Sequence, residues 1–465
     1  MVRRLSISVA LSAALLAAAC GGPTRRPAPP GPPPDVDPEG AHREAVAAAV
    51  KPYFDAELIS GIVVGLVDAG KREIYGFGKG PGGAAPDGGS LFEIGSITKI
   101  YTGLLLADAI QRREVELDAP VADYLPPGVS VPTRDKTAIT IRHLAVHSAG
   151  LPPLPPSVAD LPAANPFGSY DEDALYRDLG QTQLAFVPGA RILYSNFGTG
   201  LLGFALGRKI GAGYRKSVET RILAPLELRD TYFTVPAAAA PRRVVGTDDE
   251  LTAVPHWTWD ALAGAGGLVS TVRDQLKLLD AELDAAAGGK TMPLRNQLRL
   301  TQEAQLESST SENAGLGWLI DAEGRFWHTG GTAGFRAFAG FDPKTKRGVV
   351  VLASTASPLV DRLGRGLFAL LAGAPKPWTA PTSAQLATYA GTYDFAGTRL
   401  SVVAAGKRLY LEAQNEPRVR LAPVSEHEFW IESLQAVAFF QKDGDKIARL
   451  VFGIGTRQVV APRVE

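Results

Sequence analysis

The chain has 465 residues, 45% hydrophobic and 21% charged, enough for two domains with cores of their own in a soluble globular body. Lys plus Arg and Asp plus Glu balance at 48 each, so no basic surplus points to nucleic acid. One cysteine and six histidines, none at H-E-x-x-H or C-x-x-C spacing, exclude the usual metal motifs, and neither a metal nor another cofactor is expected.

Residues 1–20, "MVRRLSISVALSAALLAAAC", join a basic start at Arg3 and Arg4 to an apolar run and small residues. That is a secretory signal, too short for a permanent membrane span. Cys20 falls where cleavage would occur, and "LAAAC" resembles a bacterial lipobox. The resemblance implies lipidation of Cys20 and a membrane anchor, with the protein facing the periplasm or cell exterior; a plain signal with an incidental cysteine is the alternative. Residues 21–40, dominated by Pro and Gly, read as a semi-extended tether.

Folded structure is expected from Ala41, with a helix over "AHREAVAAAVKPYFDAEL" that is apolar every three to four residues. Two β-rich runs follow, flanking Asp68-Ala69-Gly70-Lys71, a hairpin signal. A second hairpin, "GFRAFAGF" and "RGVVVLAS" around Asp342 to Lys346, lies far downstream, with a helix expected from Leu359 to Leu371. The long stretch between the hairpins is largely helix and loop. These elements predict an α+β fold over 41–375: an antiparallel sheet flanked by helices, built from both ends, with a helical region inserted. After the Pro- and Ala-rich "AGAPKPWTAPTSAQ", residues 385–465 alternate as short strands and form a small all-β domain, read as stabilising or docking, with no titratable constellation of its own.

Inside "FEIGSITKIYTG", Ser96 and Lys99 stand three residues apart, on one face of a helix. A serine hydroxyl needs a base within hydrogen-bond reach, and a lysine can serve if partial burial lowers its pKa. Alone, S-x-x-K is a weak pattern. Two distant segments strengthen it: Tyr194-Ser195-Asn196 before a helical run, and His328-Thr329-Gly330 opening "HTGGTAGF".

The order S-x-x-K, Y-S-N, H-T-G resembles the penicillin-recognising serine hydrolases, in the branch of class C β-lactamases, D-alanyl-D-alanine carboxypeptidases and related esterases. "LAVHSAGLP", "PGARILYSNFGTGLLG", "AGAGGLVST" and "GLGW" extend the likeness over roughly Ala41 to Gly373, and the tail resembles a β-module often appended to such hydrolases. The resemblance implies that Ser96 is acylated, with Lys99 beside it. Tyr194 would relay protons, its phenol lowered from about 10 by Lys99. Asn196 and the strand His328-Thr329-Gly330-Gly331 would bind substrate, with the N–H groups of Ser96 and Gly331 as the oxyanion hole. Histidine at 328, where many relatives carry lysine, disfavours an efficient β-lactamase because it is only partly charged at neutral pH.

Other residues invite weaker readings. His147 is read as structural. Trp257 and Trp259 either line the cleft or pack in the core. Arg336 is read as a solvated strand residue, with a substrate carboxylate as the alternative partner. Arg242-Arg243 is read as a surface feature. The leading expectation is an exported D-alanyl-D-alanine carboxypeptidase or endopeptidase acting on peptidoglycan stem peptides. A carboxylesterase or weak class C-like β-lactamase, acting on an ester or a β-lactam, is the second. A non-catalytic peptidoglycan-binding envelope protein is the third.

Overall fold

The computed structural model describes residues 36–289, 292–307, 312–373, 378–425, 427–454 and 457–464. The signal segment, Cys20 and the tether up to residue 35 lie outside the described residues. Val36 to Gly40, expected at the tether's end, lie against the body. The Asp37 N–H donates to Ile74 O, the Ile74 N–H to Asp37 Oδ2, and Val36 packs on the core.

The principal elements are, in chain order, α1 (Arg43–Asp55), β1 (Gly61–Asp68), β2 (Lys71–Gly78), α2 (Thr98–Gln111), α3 (Asn196–Ile210), α4 (Val272–Ala286), β3 (Asn313–Ala314), β4 (Leu319–Ile320), β5 (Phe326–Gly331), β6 (Arg336–Asp342), β7 (Arg347–Ala353) and α5 (Leu359–Leu371). The seven strands form one antiparallel sheet in the order β2-β1-β7-β6-β5-β4-β3, so both ends of the α+β portion meet at the β1–β7 pair. The first hairpin closes through two residues, Ala69 (φ 50) and Gly70 (φ 82), between the Asp68–Lys71 pair. Two left-handed central residues suit the strands' right-handed twist.

Strand alternation sorts the sheet's side chains into two cores. On β1, Val63 and Val67 face a cluster that includes α4 and the inserted helices, whereas Ile62, Val64 and Leu66 face one shared with α1 and α5. Val350 and Leu352 of β7 follow the first set, Val349 and Val351 the second. With both faces covered, nearly continuous apolar strands are the expected pattern.

Eight antiparallel strands between Gly391 and Pro462 follow in simple meander order around a third core. Tyr393 bridges Arg463 and the Val464 N–H donates to Thr392 O, which brings the last strand back to the first in a barrel-like closure. The fold is thus a mixed helix-and-sheet fold with a C-terminal all-β domain. Among the described residues, no helix is long and apolar enough to cross a membrane.

Candidate active site

Ser96 sits in a short 3-10 turn, Gly95–Ile97, that runs directly into α2, where Lys99 occupies the first turn. This local geometry makes S-x-x-K a contact: Lys99 Nζ is 3.0 Å from Ser96 Oγ. The same nitrogen donates to Asn196 Oδ1 at 2.6 Å and to Ala265 O at 2.7 Å. Only 2% of Lys99 is exposed, and burial pushes its ammonium well below the ordinary lysine value. A neutral amine keeps two hydrogens for Asn196 and Ala265 and turns its lone pair to Ser96 Oγ, the arrangement a base requires.

Y-S-N marks the start of α3. Ser195 caps the helix by accepting the Gly198 N–H, and its own hydroxyl donates to Pro152 O. Asn196 is therefore held at the first helical residue, facing Lys99. Tyr194, just outside the cap, places its ring 4.8 Å from Lys99 Nζ. It is open to the cleft on one side and enclosed on the other. Enclosure raises its phenol above the ordinary value, against the pull of a bond with Ser96 and of the Arg336 charge. The expectation that Lys99 lowers this phenol is corrected: burial drives Lys99 toward neutrality and so removes the cation that would do it.

His147 does more than fill space. Its backbone is left-handed (φ 59), its Nδ1 accepts the Ser195 N–H at 3.2 Å, and its carbonyl accepts the Leu193 N–H. Its ring lies 4.4 Å from that of Tyr194. Burial pushes it well below its ordinary pKa, which suits a neutral ring accepting through Nδ1. His147 thus positions Tyr194 from both sides of the chain.

H-T-G lies on β5, whose end presses on the serine turn. A Cβ on Gly330 would stand 1.9 Å from Ile94 O, and one on Gly95 (φ +48) would stand 2.6 Å from the Gly331 nitrogen. Only glycine permits this approach, and it brings the backbone of residues 330–331 beside Ser96, as an oxyanion hole needs. His328 is buried, its Nδ1–H donates to Thr329 O at 2.6 Å, and burial lowers its pKa to about 3. A partly charged histidine is therefore corrected to a neutral one.

Ser96, Tyr194, Asn196, His328, Thr329, Gly330 and Gly331 line one cavity of about 480 Å³. Trp257 lines it too, while Trp259 stacks at 4.1 Å on Phe167 within the core. Glu93, from the serine segment, accepts from the Trp257 N–H at 3.1 Å and pairs with His256 at 2.8 Å, which fixes that wall. Arg336 also lines the cavity, but it is no solvated strand residue: its guanidinium forks onto the Asp361 carboxylate of α5, with Nε at 2.8 Å from Oδ1. Burial works against the Arg336 cation and the Asp361 bonds more than offset it, so it stays charged and occupied. Arg242 pairs with Asp230 and donates to Gly89 O, and Arg243 lies near Glu93; both brace loops.

With this geometry in place, the comparison with known proteins is direct. The profile described as Beta-lactamase matches residues 46–374. The chain belongs to the β-lactamase family. The D-alanyl-D-alanine-carboxypeptidase/endopeptidase AmpH of Escherichia coli (strain K12) is 30% identical over 316 residues, covering 64% of this chain and 80% of that protein. A beta-lactamase of the same organism is 27% identical over 361 residues, covering 68% of this chain and 89% of that protein. Among solved structures, a class C beta lactamase from Rhodobacter sphaeroides superposes with a TM-score of 0.61 at 28% identity, over 71% of this chain and 99% of its own. The octameric penicillin-binding protein homologue from Pyrococcus abyssi shares the fold with a TM-score of 0.63 at 21% identity, over 88% of this chain and 98% of its own. Membership of the β-lactamase family makes the chain a serine hydrolase and sets the non-catalytic reading aside.

Proposed function

We propose that the chain is an exported, lipid-anchored hydrolase that works through an acyl-enzyme on Ser96, with peptidoglycan stem peptides as its substrate class. The observation that carries the mechanism is the buried Lys99 Nζ, 3.0 Å from Ser96 Oγ and held by two further neutral oxygens. Ser96 Oγ attacks the acyl carbon while its proton passes to Lys99. The Tyr194 phenol, kept protonated by its enclosure, donates to the departing nitrogen or oxygen. The Lys99 proton then restores the phenol. Water attacks the ester, loses a proton through the same pair, and releases the acid with Ser96 regenerated. AmpH, 30% identical, supports the peptide substrate, and residues 1–20 support export with Cys20 as the anchor.

A second reading, a carboxylesterase or weak β-lactamase, draws on one specific observation. His328 is neutral and Arg336 is bound to Asp361, so the H-T-G wall presents no free cation for a substrate carboxylate. Intact mass spectrometry after exposure to a fluorescent penicillin, an aryl ester, and D-Ala-D-Ala and cross-linked stem peptides tests both readings. A single acyl adduct on the parent chain and none on Ser96→Ala is the expected result. Equal labelling of both chains, or no adduct with any acyl donor, would overturn the mechanism. Turnover of the ester without either peptide would decide for the second reading.

A further inference from the structure

The C-terminal β domain reaches into the catalytic cleft. After the strand Glu428–Ile431 the chain makes a 3-10 turn over Glu432–Leu434, then Gln435 turns left-handed (φ 48) into the strand Ala436–Asp443. Glu432 lines the same cavity as Ser96, Tyr194, His328 and Arg336. The tail, read from its sequence as a stabilising or docking module without a titratable constellation of its own, thus brings one carboxylate to this cavity.

The carboxylate is built in. Trp430 Nε1–H donates to Glu432 Oε2 at 2.7 Å, and Gln435 Nε2–H donates to Oε1 at 3.1 Å. Both donors are neutral; the charged groups facing the carboxylate are Arg336, whose cation it helps to hold, and Asp361, which it repels. Trp430 also packs against the core shared by α1 and α5. The domain itself is clamped. The Arg420 guanidinium, with 6% of the residue exposed, donates to the carbonyls of Ala56, Glu57 and Asp249. Arg408 pairs with Glu57 and Glu250, and Tyr410 O–H donates to Glu250 at 2.8 Å. These contacts register the β domain on the hydrolase body and so fix where Glu432 stands.

Among the described residues lining this cavity, Arg336 is the basic side chain and Glu432 the acidic one, and Arg336 is already gripped by Asp361. Glu432 therefore sets the sign of the field a substrate meets. We propose that Glu432 makes the C-terminal β domain part of the substrate site, selecting acyl donors that present an ammonium group and rejecting those that present a carboxylate. This rests on the reading of Ser96 as the acylated nucleophile. It narrows the peptidase reading away from removal of a C-terminal residue and toward peptides and esters carrying a free amine.

The test uses the full chain and three aryl esters of D-alanine with one leaving group: free amine, N-acetyl and N-succinyl, at pH 6.5. The readout is the kcat/KM ratio of the free-amine ester to the succinyl ester, in which a general loss of activity cancels. The parent chain favours the amine. Glu432→Gln lowers the ratio about tenfold, the scale of one partly screened charge at cleft distances, and Glu432→Lys inverts the preference. Acylation of Ser96 with the ratio unchanged in both variants would overturn this inference alone. Absence of any acyl-enzyme with all three esters would overturn the nucleophile reading, and the inference with it.

Discussion

At the floor of the cleft, Lys99 lies buried against three neutral oxygens and is driven toward its uncharged form. At the wall, Arg336 keeps its charge because Asp361 holds it, and the Glu432 side chain is oriented by two neutral donors, Trp430 and Gln435. Ser96, Arg336 and Glu432 line one cavity with Lys99 bonded behind Ser96, and the same polypeptide treats ionisable groups in opposite ways around it. Where a proton must move, charge is suppressed, since a permanently cationic lysine has no lone pair to offer. Where a substrate must be sorted, charge is retained and oriented. Chemistry and selectivity are thereby separable by mutation.

The strongest break of the floor is Lys99→Ala. It removes the base and should lower kcat/KM for acylation by roughly 10²–10⁴-fold. In the parent chain, the rate should rise with pH as Lys99 loses its proton, and because burial lowers that pKa the limb must lie below the ordinary lysine value of about 10.4. A limb at or above that value would show that Lys99 works as a cation.

His147→Asn probes how tightly the floor is positioned. Asparagine tolerates the left-handed backbone at 147 and keeps an acceptor, Oδ1, for the Ser195 N–H, but withdraws the ring that packs on Tyr194. The expected result is a fall in kcat of about 10–100-fold with KM little changed, as small misplacements of a proton donor give. A loss confined to thermal stability would reduce His147 to packing.

Much of this floor was legible in the sequence, because S-x-x-K, Y-S-N before a helical run and H-T-G are short local patterns whose order along the chain reinforces them, and the hairpins carry their own turn chemistry. Ala69-Gly70 shows both sides of that rule: the turn was readable from the glycine, although its partner is an alanine at φ 50. The sheet's outer strands Asn313–Ala314 and Leu319–Ile320 were not legible, since two residues cannot display a period. The wall was illegible for another reason. Arg336 and Asp361 lie on a strand and a helix 25 residues apart, and Glu432 arrives through long-range docking of Arg420, Arg408 and Tyr410, with Arg420 on backbone carbonyls that have no residue signature. His147 and Trp257 belong to the same class: both are placed by tertiary neighbours, Tyr194 and Glu93, far along the chain.

The wall can be altered in the opposite sense with Asp361→Asn. The change leaves a hydrogen-bond acceptor for Arg336 but removes the opposing charge, so the cavity gains a cation. The N-succinyl ester should then improve about tenfold in kcat/KM relative to the free-amine ester, the mirror of Glu432→Gln. An unchanged ratio would mean that Arg336 is too enclosed to be felt by a substrate.

The smallest effect belongs to His328, where floor and wall meet. A histidine lowered to about 3 is neutral throughout pH 4.5–8, because a depressed base loses its proton before that window begins. Its Nδ1–H, committed to Thr329 O, fixes the ring without a charge. A pH profile of acylation should therefore show the Lys99 limb and nothing near 6.5, and His328→Gln should leave the position of that limb unmoved whatever it does to the rate. A limb near 6.5 in the parent chain that disappears in His328→Gln would place a titrating cation on the H-T-G strand. The neutral floor would then end at Asn196, and the carboxylate-binding reading of the wall would return.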